Sequence, residues 1–306
     1  MPLAHTAFVF PGQGSQAVGM GRDLCDTYPA ARALAAEADE ALGFPLSRLI
    51  RDGPDAELRR TANTQPAILL VSIAAYSALE REPSAVAGHS LGEYSALVAA
   101  GALAFADAIA LVHKRGRYMQ EAVPEGRGVM LALIGADPEA IAAAIAADGG
   151  AVDIANYNAP GQIVIAGERE AAQRVAAACG VRQAVELPVS APFHCRLMRP
   201  AEERLRADLA QVPFADPRVP LYNNVDASRV TTADAARDGL ARQVSRSVRW
   251  VELVQRMIAD EGIRTFVEVG PGTVLSGMLR RIDRSVERLS ASDAATVAGL
   301  RARFAA

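Results

Sequence analysis

The segment Gly88-His89-Ser90-Leu91-Gly92 constrains the fold of this chain more than any other part of its sequence. It matches the pattern G-x-S-x-G, and it lies between a short apolar run at 85–87 and a helix-like run at 91–100. In that context the pattern marks a sharp strand-to-helix turn, which presents the serine at a helix N-terminus where free N–H groups favour developing negative charge. Ser90 is therefore predicted to be a nucleophile, and the alternative is a serine that only caps a helix.

Strand-like and helix-like segments alternate on both sides of this turn. Residues 6–10 and 85–87 are short apolar runs typical of strands, and residues 64–80 and 104–121 have the composition of buried helices. Strands that alternate with helices are joined by crossover connections, which favour parallel pairing. The predicted fold class is therefore α/β with a mainly parallel sheet.

Residues 127–190 follow a different order of elements. The pattern predicts β-α-β-β-α-β, which is the order of a ferredoxin-like unit, with a turn at Asn158-Ala159-Pro160-Gly161. The predicted strands lie at 128–134, 151–156, 162–166 and 183–189. We therefore predict a small ferredoxin-like subdomain at 127–190, inserted into a discontinuous large domain at 1–126 and 191–306.

The composition excludes several classes of function. The 32 Lys and Arg residues against 35 Asp and Glu give a net charge of −3, which argues against a nucleic-acid partner. The longest apolar runs, such as 66–78, are too short to span a membrane. Cys25, Cys179 and Cys195 form no CxxC pair, so we expect no metal site and no disulfide framework, and we expect a cytoplasmic protein.

A serine nucleophile needs a base, and the chain has four histidines. His5 precedes the first predicted strand, His89 lies inside the turn itself, and His113 is expected on the solvated face of a helix. His194 lies where the small subdomain rejoins the large domain, a position that predicts a cleft. Position therefore favours His194 as the base, with a packed core histidine as the alternative.

Six segments of the chain, in order, resemble the malonyl-CoA:acyl-carrier-protein transacylase family. The similarity extends over about residues 5–285 and is more specific than one G-x-S-x-G pattern. The segments are residues 10–16, 88–94, 115–120, 156–162, 192–194 and 268–272.

The resemblance implies a fold, a reaction and roles for the residues at the matching positions. The fold would be an α/β-hydrolase-like core with an inserted ferredoxin-like subdomain. Ser90 would attack the thioester of malonyl-CoA while His194 takes its proton, and the backbone N–H groups of Gln13 and Leu91 would form the oxyanion hole. The malonyl group would then pass to the phosphopantetheine thiol of an acyl carrier protein in a ping-pong reaction without any other cofactor.

Arg115 is the residue through which the resemblance implies substrate selectivity. A guanidinium can bind the free carboxylate of the malonyl group through two parallel hydrogen bonds, a geometry that lysine does not reproduce. The alternative is an exposed arginine, because Lys114 and Arg117 give this predicted helix a basic face.

Three further residues are implied with less specific roles. The resemblance implies that a backbone carbonyl, here assigned to Arg249, orients His194, although many family members have glutamine at this position. Asn158 and Phe193 are expected to line the pocket. Phe193 and Leu91 also resemble members that select malonyl over branched acyl groups.

Several alternatives stay open at this stage. A relative of the family could act as an acyl hydrolase on carrier-bound thioesters, and a non-catalytic binding protein is a third class. The pathway is either fatty-acid synthesis or polyketide extender loading. The basic segment 279–284 is a solvated face or a contact for an acidic carrier protein. A monomer is expected.

Overall fold

The computed structural model describes residues 2–124, 126–135 and 137–305. The strands are β1 (Leu3–Phe10), β2 (Pro83–Gly88), β3 (Gly128–Ile134), β4 (Val152–Ala159), β5 (Gln162–Glu168), β6 (Gln183–Glu186), β7 (Leu221–Tyr222), β8 (Arg229–Val230), β9 (Thr265–Val269) and β10 (Glu287–Ala291). The helices are α1 (Arg22–Thr27), α2 (Pro29–Leu42), α3 (Leu46–Asp52), α4 (Asp55–Leu58), α5 (Thr61–Leu79), α6 (Gly92–Ala99), α7 (Phe105–Glu121), α8 (Pro138–Asp148), α9 (Arg169–Ala178), α10 (Arg199–Leu209), α11 (Ala233–Gln243), α12 (Trp250–Glu261), α13 (Val274–Ile282) and α14 (Ala294–Arg303).

The larger sheet has six strands in the order β10-β9-β1-β2-β7-β8. Its pairs are parallel except for β7 with β8 at one edge. Ala7, Phe8, Val9 and Phe10 are fully buried, as expected for a central parallel strand that is covered on both faces. The mixed α/β class with a parallel sheet, predicted from the alternation of elements, is therefore confirmed.

The smaller sheet is separate and antiparallel, with its strands in the order β4-β5-β3-β6. It has its own apolar core with α8 and α9, which includes Leu133, Ile141, Ile165 and Val175. Strand β6 is shorter than predicted, and its four residues are exposed at the sheet edge.

The predicted turn at 158–161 is wrong at its first residues. Strand β4 continues through Asn158 to Ala159, which pairs with Gln162, so the turn is confined to Pro160 and Gly161. Two register shifts in β4, one of them between Tyr157 and Ala159, place eight residues of this strand against six of β5. Asn158 is consequently fixed in a strand, and not in a loop.

The outer edge of β4 joins the smaller sheet to the rest of the chain. The N–H of Tyr157 donates to the carbonyl of Val248 at 2.9 Å, and the N–H of Val248 donates to the carbonyl of Ala155 at 2.8 Å. Arg196 adds hydrogen bonds to the carboxylate of Asp153. These contacts hold the smaller sheet against the segments that follow α11 and precede α10.

Among the residues described, none of the helices is both long enough and apolar enough to cross a membrane.

Candidate active site

The sharp turn predicted around Ser90 forms between β2 and α6. A Cβ atom on Gly88 would lie 1.9 Å from the carbonyl of Gly92, and a Cβ atom on Gly92 would lie 2.0 Å from the carbonyl oxygen of Phe10. Both glycines are therefore required by close backbone approach. Ser90 itself has φ +53°, the strained left-handed conformation that a serine adopts only with strong local support.

His194 lies opposite this serine. Its Nε2 atom is 2.7 Å from the Oγ atom of Ser90, and its Nδ1 atom is 2.8 Å from the carbonyl oxygen of Gln243. Because a carbonyl only accepts, Nδ1 must carry the hydrogen, which leaves Nε2 free to accept the proton of the serine hydroxyl. The structure thus brings together the predicted nucleophile and base, separated by 104 residues in sequence.

The electrostatic environment keeps this histidine neutral. Burial, followed by the nearby positive charge of Arg115, lowers the pKa of His194 to about 3. A neutral imidazole at physiological pH is the form that can accept a proton from a serine hydroxyl.

The other histidines lie elsewhere or play a different part. His5 is exposed, as its position suggested, and Nε2 of His89 is 2.8 Å from the Oδ1 atom of Asn158. His113, predicted on a solvated face, is half-buried, and its ring packs against Phe44.

The assignment of the orienting carbonyl to Arg249 is wrong. Arg249 precedes α12, and its carbonyl accepts the N–H of Leu253 in the first turn of that helix. The carbonyl that orients His194 belongs to Gln243, the last residue of α11. Carbonyls at a helix C-terminus have no partner within the helix, and this one is therefore available to a side chain.

Arg115 is buried, which contradicts the alternative of an exposed helix arginine. Only 1 % of its surface is accessible. Its Nη1 atom donates to Gln65 Oε1 at 2.7 Å, and its Nη2 atom donates to Gln243 Oε1 at 2.8 Å and to Ser90 Oγ at 3.1 Å. Its Nε–H has no partner among the described residues. The guanidinium therefore has a free donor beside the nucleophile.

The position of Arg115 depends on the glycine that follows it. A Cβ atom on Gly116 would lie 2.6 Å from the carbonyl oxygen of Thr61, so α7 approaches the first turn of α5 closely. This approach places the arginine side chain next to Gln65, which lies on α5.

Two backbone N–H groups near Ser90 have no partner within the described part of the chain, and they belong to Gln13 and Leu91. The loop that carries Gln13 is joined to the turn by the hydrogen bond from His89 N–H to the Phe10 carbonyl, at 3.0 Å. Gly12 permits this approach, since a Cβ atom there would lie 2.6 Å from the carbonyl oxygen of His89. Free donors on two sides of a serine Oγ are the arrangement that stabilises an oxyanion.

These groups line one cavity of about 240 Å³ between the two sheets. Asn158 and Phe193 line the cavity, as predicted, and Asn158 does so from strand β4 of the smaller sheet. Apolar side chains on the smaller-sheet side, including Met130 in β3 and Leu187 directly after β6, complete its wall together with residues of α7 and α13. A small acyl group is therefore enclosed by apolar side chains and by several polar ones, among them Arg115, Asn158 and the Ser90–His194 pair.

Sequence reasoning missed a buried polar cluster beneath the nucleophile, formed by Glu93, Asn224 and Gln243. Glu93 accepts hydrogen bonds from the N–H of Asn224 at 2.9 Å and from Nε2 of Gln243 at 2.8 Å. Burial raises the pKa of Glu93 to about 7. A glutamate in the first turn of a predicted apolar helix was the only signal available.

No group of three or more His, Cys, Asp or Glu side chains suited to a metal ion occurs in residues 2–124, 126–135 and 137–305.

Comparisons with known proteins agree with this geometry. Residues 7–303 match the model of the acyl transferase domain family. The chain is 50% identical over 299 residues to the malonyl CoA-acyl carrier protein transacylase of Escherichia coli (strain K12), which covers 95% of this chain and 96% of that protein. It is 45% identical over 304 residues to the protein of the same name in Bacillus subtilis (strain 168), with 96% of each covered.

Solved structures extend the similarity to three dimensions. The acyl carrier protein S-malonyltransferase of Vibrio cholerae has a TM-score of 0.94 at 44% identity, over 97% of this chain and 100% of that chain. A malonyl-transacylase solved in complex with its type II PKS acyl-carrier protein also has a TM-score of 0.94 at 44% identity, over 97% and 99% of the two chains. The similarity therefore includes both sheets and the cavity between them.

Proposed function

The chain belongs to the acyl transferase domain family and, within it, to the malonyl-CoA:acyl-carrier-protein transacylases; from this premise, we propose how its own residues carry out the transfer. Ser90 is the nucleophile, His194 is the general base and acid, and Arg115 binds the carboxylate of the malonyl group. The observation that carries the proposal is the 2.7 Å contact between Ser90 Oγ and His194 Nε2, beside the buried guanidinium.

The first half-reaction forms an acyl-enzyme. Ser90 Oγ bonds to the thioester carbonyl carbon as its proton passes to His194 Nε2. The oxyanion that forms accepts hydrogen bonds from the free N–H groups of Gln13 and Leu91. When the tetrahedral intermediate collapses, the C–S bond breaks and the imidazolium returns its proton to the leaving thiol of coenzyme A. The carbonyl of Gln243 accepts the Nδ1 hydrogen throughout and stabilises the imidazolium.

The second half-reaction runs the same steps in reverse with a different thiol. The phosphopantetheine thiol of an acyl carrier protein gives its proton to His194 and attacks the ester carbon, and Ser90 leaves with the proton from the imidazolium. We expect the reaction to need no cofactor, since both thiols belong to substrates. A transfer reaction also accounts for the names of the relatives better than the hydrolase alternative does.

Arg115 supplies selectivity for the malonyl group. Its Nε–H is buried and without a partner in the described residues, and its Nη2 atom already lies 3.1 Å from Ser90 Oγ. We expect the carboxylate of a malonyl group, one methylene from the thioester carbonyl at Ser90, to bind at this edge of the guanidinium. Binding there replaces an unsatisfied buried donor by a charge-assisted hydrogen bond, which an acetyl group does not provide.

The acyl-enzyme is tested by intact-mass measurement after brief incubation with malonyl-CoA. The wild-type protein should gain the mass of one malonyl group at Ser90, and the Ser90→Ala variant should gain none. A malonylated Ser90→Ala protein would refute the assignment of the nucleophile.

We infer that the two sheets correspond to the two parts predicted from the sequence. The order β6-β3-β5-β4, in which the first strand of the unit pairs with its third and fourth, supports a ferredoxin-like subdomain at 127–190. The parallel sheet with a serine at the turn after β2 supports an α/β-hydrolase-like large domain at 1–126 and 191–306.

A basic surface beside the cavity is suited to the acidic carrier protein that the sequence suggested. Helix α13 lines the cavity through Leu275 and Met278, and its last turn carries Arg280 and Arg281. Arg284 and Arg288 complete this basic cluster, and none of its four arginines forms an ion pair in the described part of the chain. The cluster lies at the mouth of the cavity, since Arg281 donates to the side chain of Gln162 in the cavity wall.

The pathway, oligomeric state and location stay predictions. Kinetics with a fatty-acid carrier and with a polyketide carrier would distinguish the two pathways, and light scattering would test the expected monomer. The three cysteines are unpaired.

A further inference from the structure

A single buried side chain joins the two arms of the turn that carries Ser90. The Oδ1 atom of Asn224 accepts the N–H of Ser90 at 2.6 Å, and its Nδ2 atom donates to the carbonyl of Gly88 at 2.6 Å. Asn224 is the second residue after β7 and is fully buried. It therefore connects the last residue of β2 to the nucleophile from outside the turn.

The orientation of the Asn224 amide is fixed by its surroundings. The backbone of Asn224 is held on both sides, because its N–H donates to the carboxylate of Glu93 at 2.9 Å and its carbonyl accepts the N–H of Arg249 at 3.0 Å. If its side-chain amide were rotated by 180°, its NH₂ group would face the N–H of Ser90 and its oxygen would face the carbonyl of Gly88. Both contacts would be repulsive, so only the observed orientation satisfies the four groups.

Ser90 needs this support because its conformation is unfavourable. A left-handed φ is sterically unfavourable at a residue with a Cβ atom, and it persists only where neighbouring groups enforce it. The carbonyl of Ser90 is held as well, by Nε2 of Gln243 at 2.9 Å. Of these contacts, the one from Asn224 fixes the N–H side of the strained residue.

We propose that Asn224 is a positioning residue for the transfer reaction. Its amide holds Ser90 in the conformation that directs Oγ at Nε2 of His194, and it does so without contacting the substrate. This inference rests on the proposed function, because it takes Ser90 as the nucleophile. It predicts that loss of the amide slows acylation of Ser90 without weakening the binding of malonyl-CoA at Arg115.

Asn223 provides a matched control at the neighbouring position. It is also buried, and its side chain exchanges two hydrogen bonds with Asp226 in the turn after β7, at 3.1 and 3.0 Å. Asn223→Ala therefore removes the same side chain and two hydrogen bonds, whereas Asn224→Ala removes the two to the turn and a longer one from Gln243 at 3.3 Å. It leaves the turn around Ser90 untouched.

The experiment measures the single-turnover rate of Ser90 acylation by malonyl-CoA, together with KM, well below the melting temperature of each protein. In Asn224→Ala the acylation rate should fall by about 10- to 100-fold, the size expected when a reacting atom is displaced by about 1 Å. KM for malonyl-CoA should change by less than about twofold, because Arg115 is unaffected. Asn223→Ala should lower the melting temperature and leave the acylation rate within about twofold of the wild type.

Equal acylation rates in Asn224→Ala and Asn223→Ala would overturn the proposal. If Asn224→Ala does not fold, Asn224→Asp has the same shape and still accepts the N–H of Ser90, but its carboxylate has no hydrogen for the Gly88 carbonyl. A wild-type acylation rate in Asn224→Asp would also overturn the proposal. Failure of the wild-type protein to form any acyl-enzyme would instead refute the proposed function.

Discussion

Arginine occurs in two contrasting settings beside the cavity. Arg115 is buried in its floor and shares its guanidinium among Gln65, Gln243 and Ser90, whereas the basic cluster at its mouth is largely exposed to water. Charge interactions are weak in water and several-fold stronger in a desolvated site. We therefore expect one buried guanidinium to determine which acyl group reacts, and the exposed cluster to affect only how a partner protein approaches.

The largest effect is expected from removal of the buried guanidinium. Arg115→Ala should reduce the preference for malonyl-CoA over acetyl-CoA by about 100-fold in kcat/KM, because a buried charge-assisted pair contributes about 3 kcal/mol. Competition assays with the two thioesters measure the ratio. The matched control is Arg117→Ala on the same helix, whose side chain is exposed and should leave the ratio unchanged. An unchanged ratio in Arg115→Ala would refute the carboxylate site.

The pH dependence of acylation should also report the buried charge. A protonated His194 cannot accept the serine proton, and its pKa of about 3 keeps it neutral far below the usual pKa of about 6.5. Acylation measured between pH 4.5 and 8 should therefore show no loss of rate near pH 6.5. Arg115→Ala should shift the acid limb to higher pH, because it removes a positive charge that lowers this pKa. A fall in the wild-type acylation rate near pH 6.5 would contradict a lowered pKa of His194.

The buried acid near Arg115 should make stability depend on pH. The pKa of Glu93, about 7 in the folded protein, lies above its usual value of 4.5, so the folded state binds the proton more tightly. Its contribution to stability is complete below pH 4.5 and is lost as pH rises through 7. Between pH 5 and 7.5, the free energy of unfolding measured with urea should fall less in Glu93→Gln than in the wild type, by about 1 kcal/mol or more. Equal losses in both proteins would argue against a raised pKa.

The smallest effect is expected at the exposed cluster. The double variant Arg280→Glu and Arg281→Glu should raise KM for the carrier protein several-fold, more at low salt than at high salt, with KM for malonyl-CoA little changed. Steady-state kinetics at two ionic strengths measure this effect. If the double variant leaves KM for the carrier protein unchanged, the cluster is only a solvated face.

The residues of the site that could be predicted from the sequence are those with a local signal. Gly88, Ser90 and Gly92 form a recognisable turn. A Cβ atom on either glycine would lie only 1.9 to 2.0 Å from a backbone atom, so no other residue fits there. His194 and Arg115 needed the resemblance to a family, since position alone left a packed histidine and an exposed arginine open.

The missed residues act through backbone geometry that a sequence does not display. Gln243 orients His194 with a carbonyl that is free only because α11 ends at that residue, and helix ends are uncertain from sequence by one or two positions. Asn224 and Glu93 meet the turn from segments over 130 residues apart, as the hydrogen bond between them shows. The error at Arg249 has the same origin, because its carbonyl is used by α12.

The same distinction applies to the fold. Long apolar strands such as β1 and regular helices such as α7 were predicted within a few residues of their bounds. The two-residue strands β7 and β8 carry too little pattern to be recognised. Strand β7 forms because β2 supplies the partner that the local sequence does not indicate, and β8 then pairs with β7.

The central claim, transfer through a serine ester, is tested most directly by following the isolated acyl-enzyme. The protein is incubated with malonyl-CoA, separated from coenzyme A, and mixed with an acyl carrier protein that bears phosphopantetheine, while the mass of both proteins is followed. The account predicts that the malonyl mass leaves the enzyme and appears on the carrier at a rate well above its loss in buffer alone. Loss of the malonyl group to water at the same rate with and without carrier would contradict it.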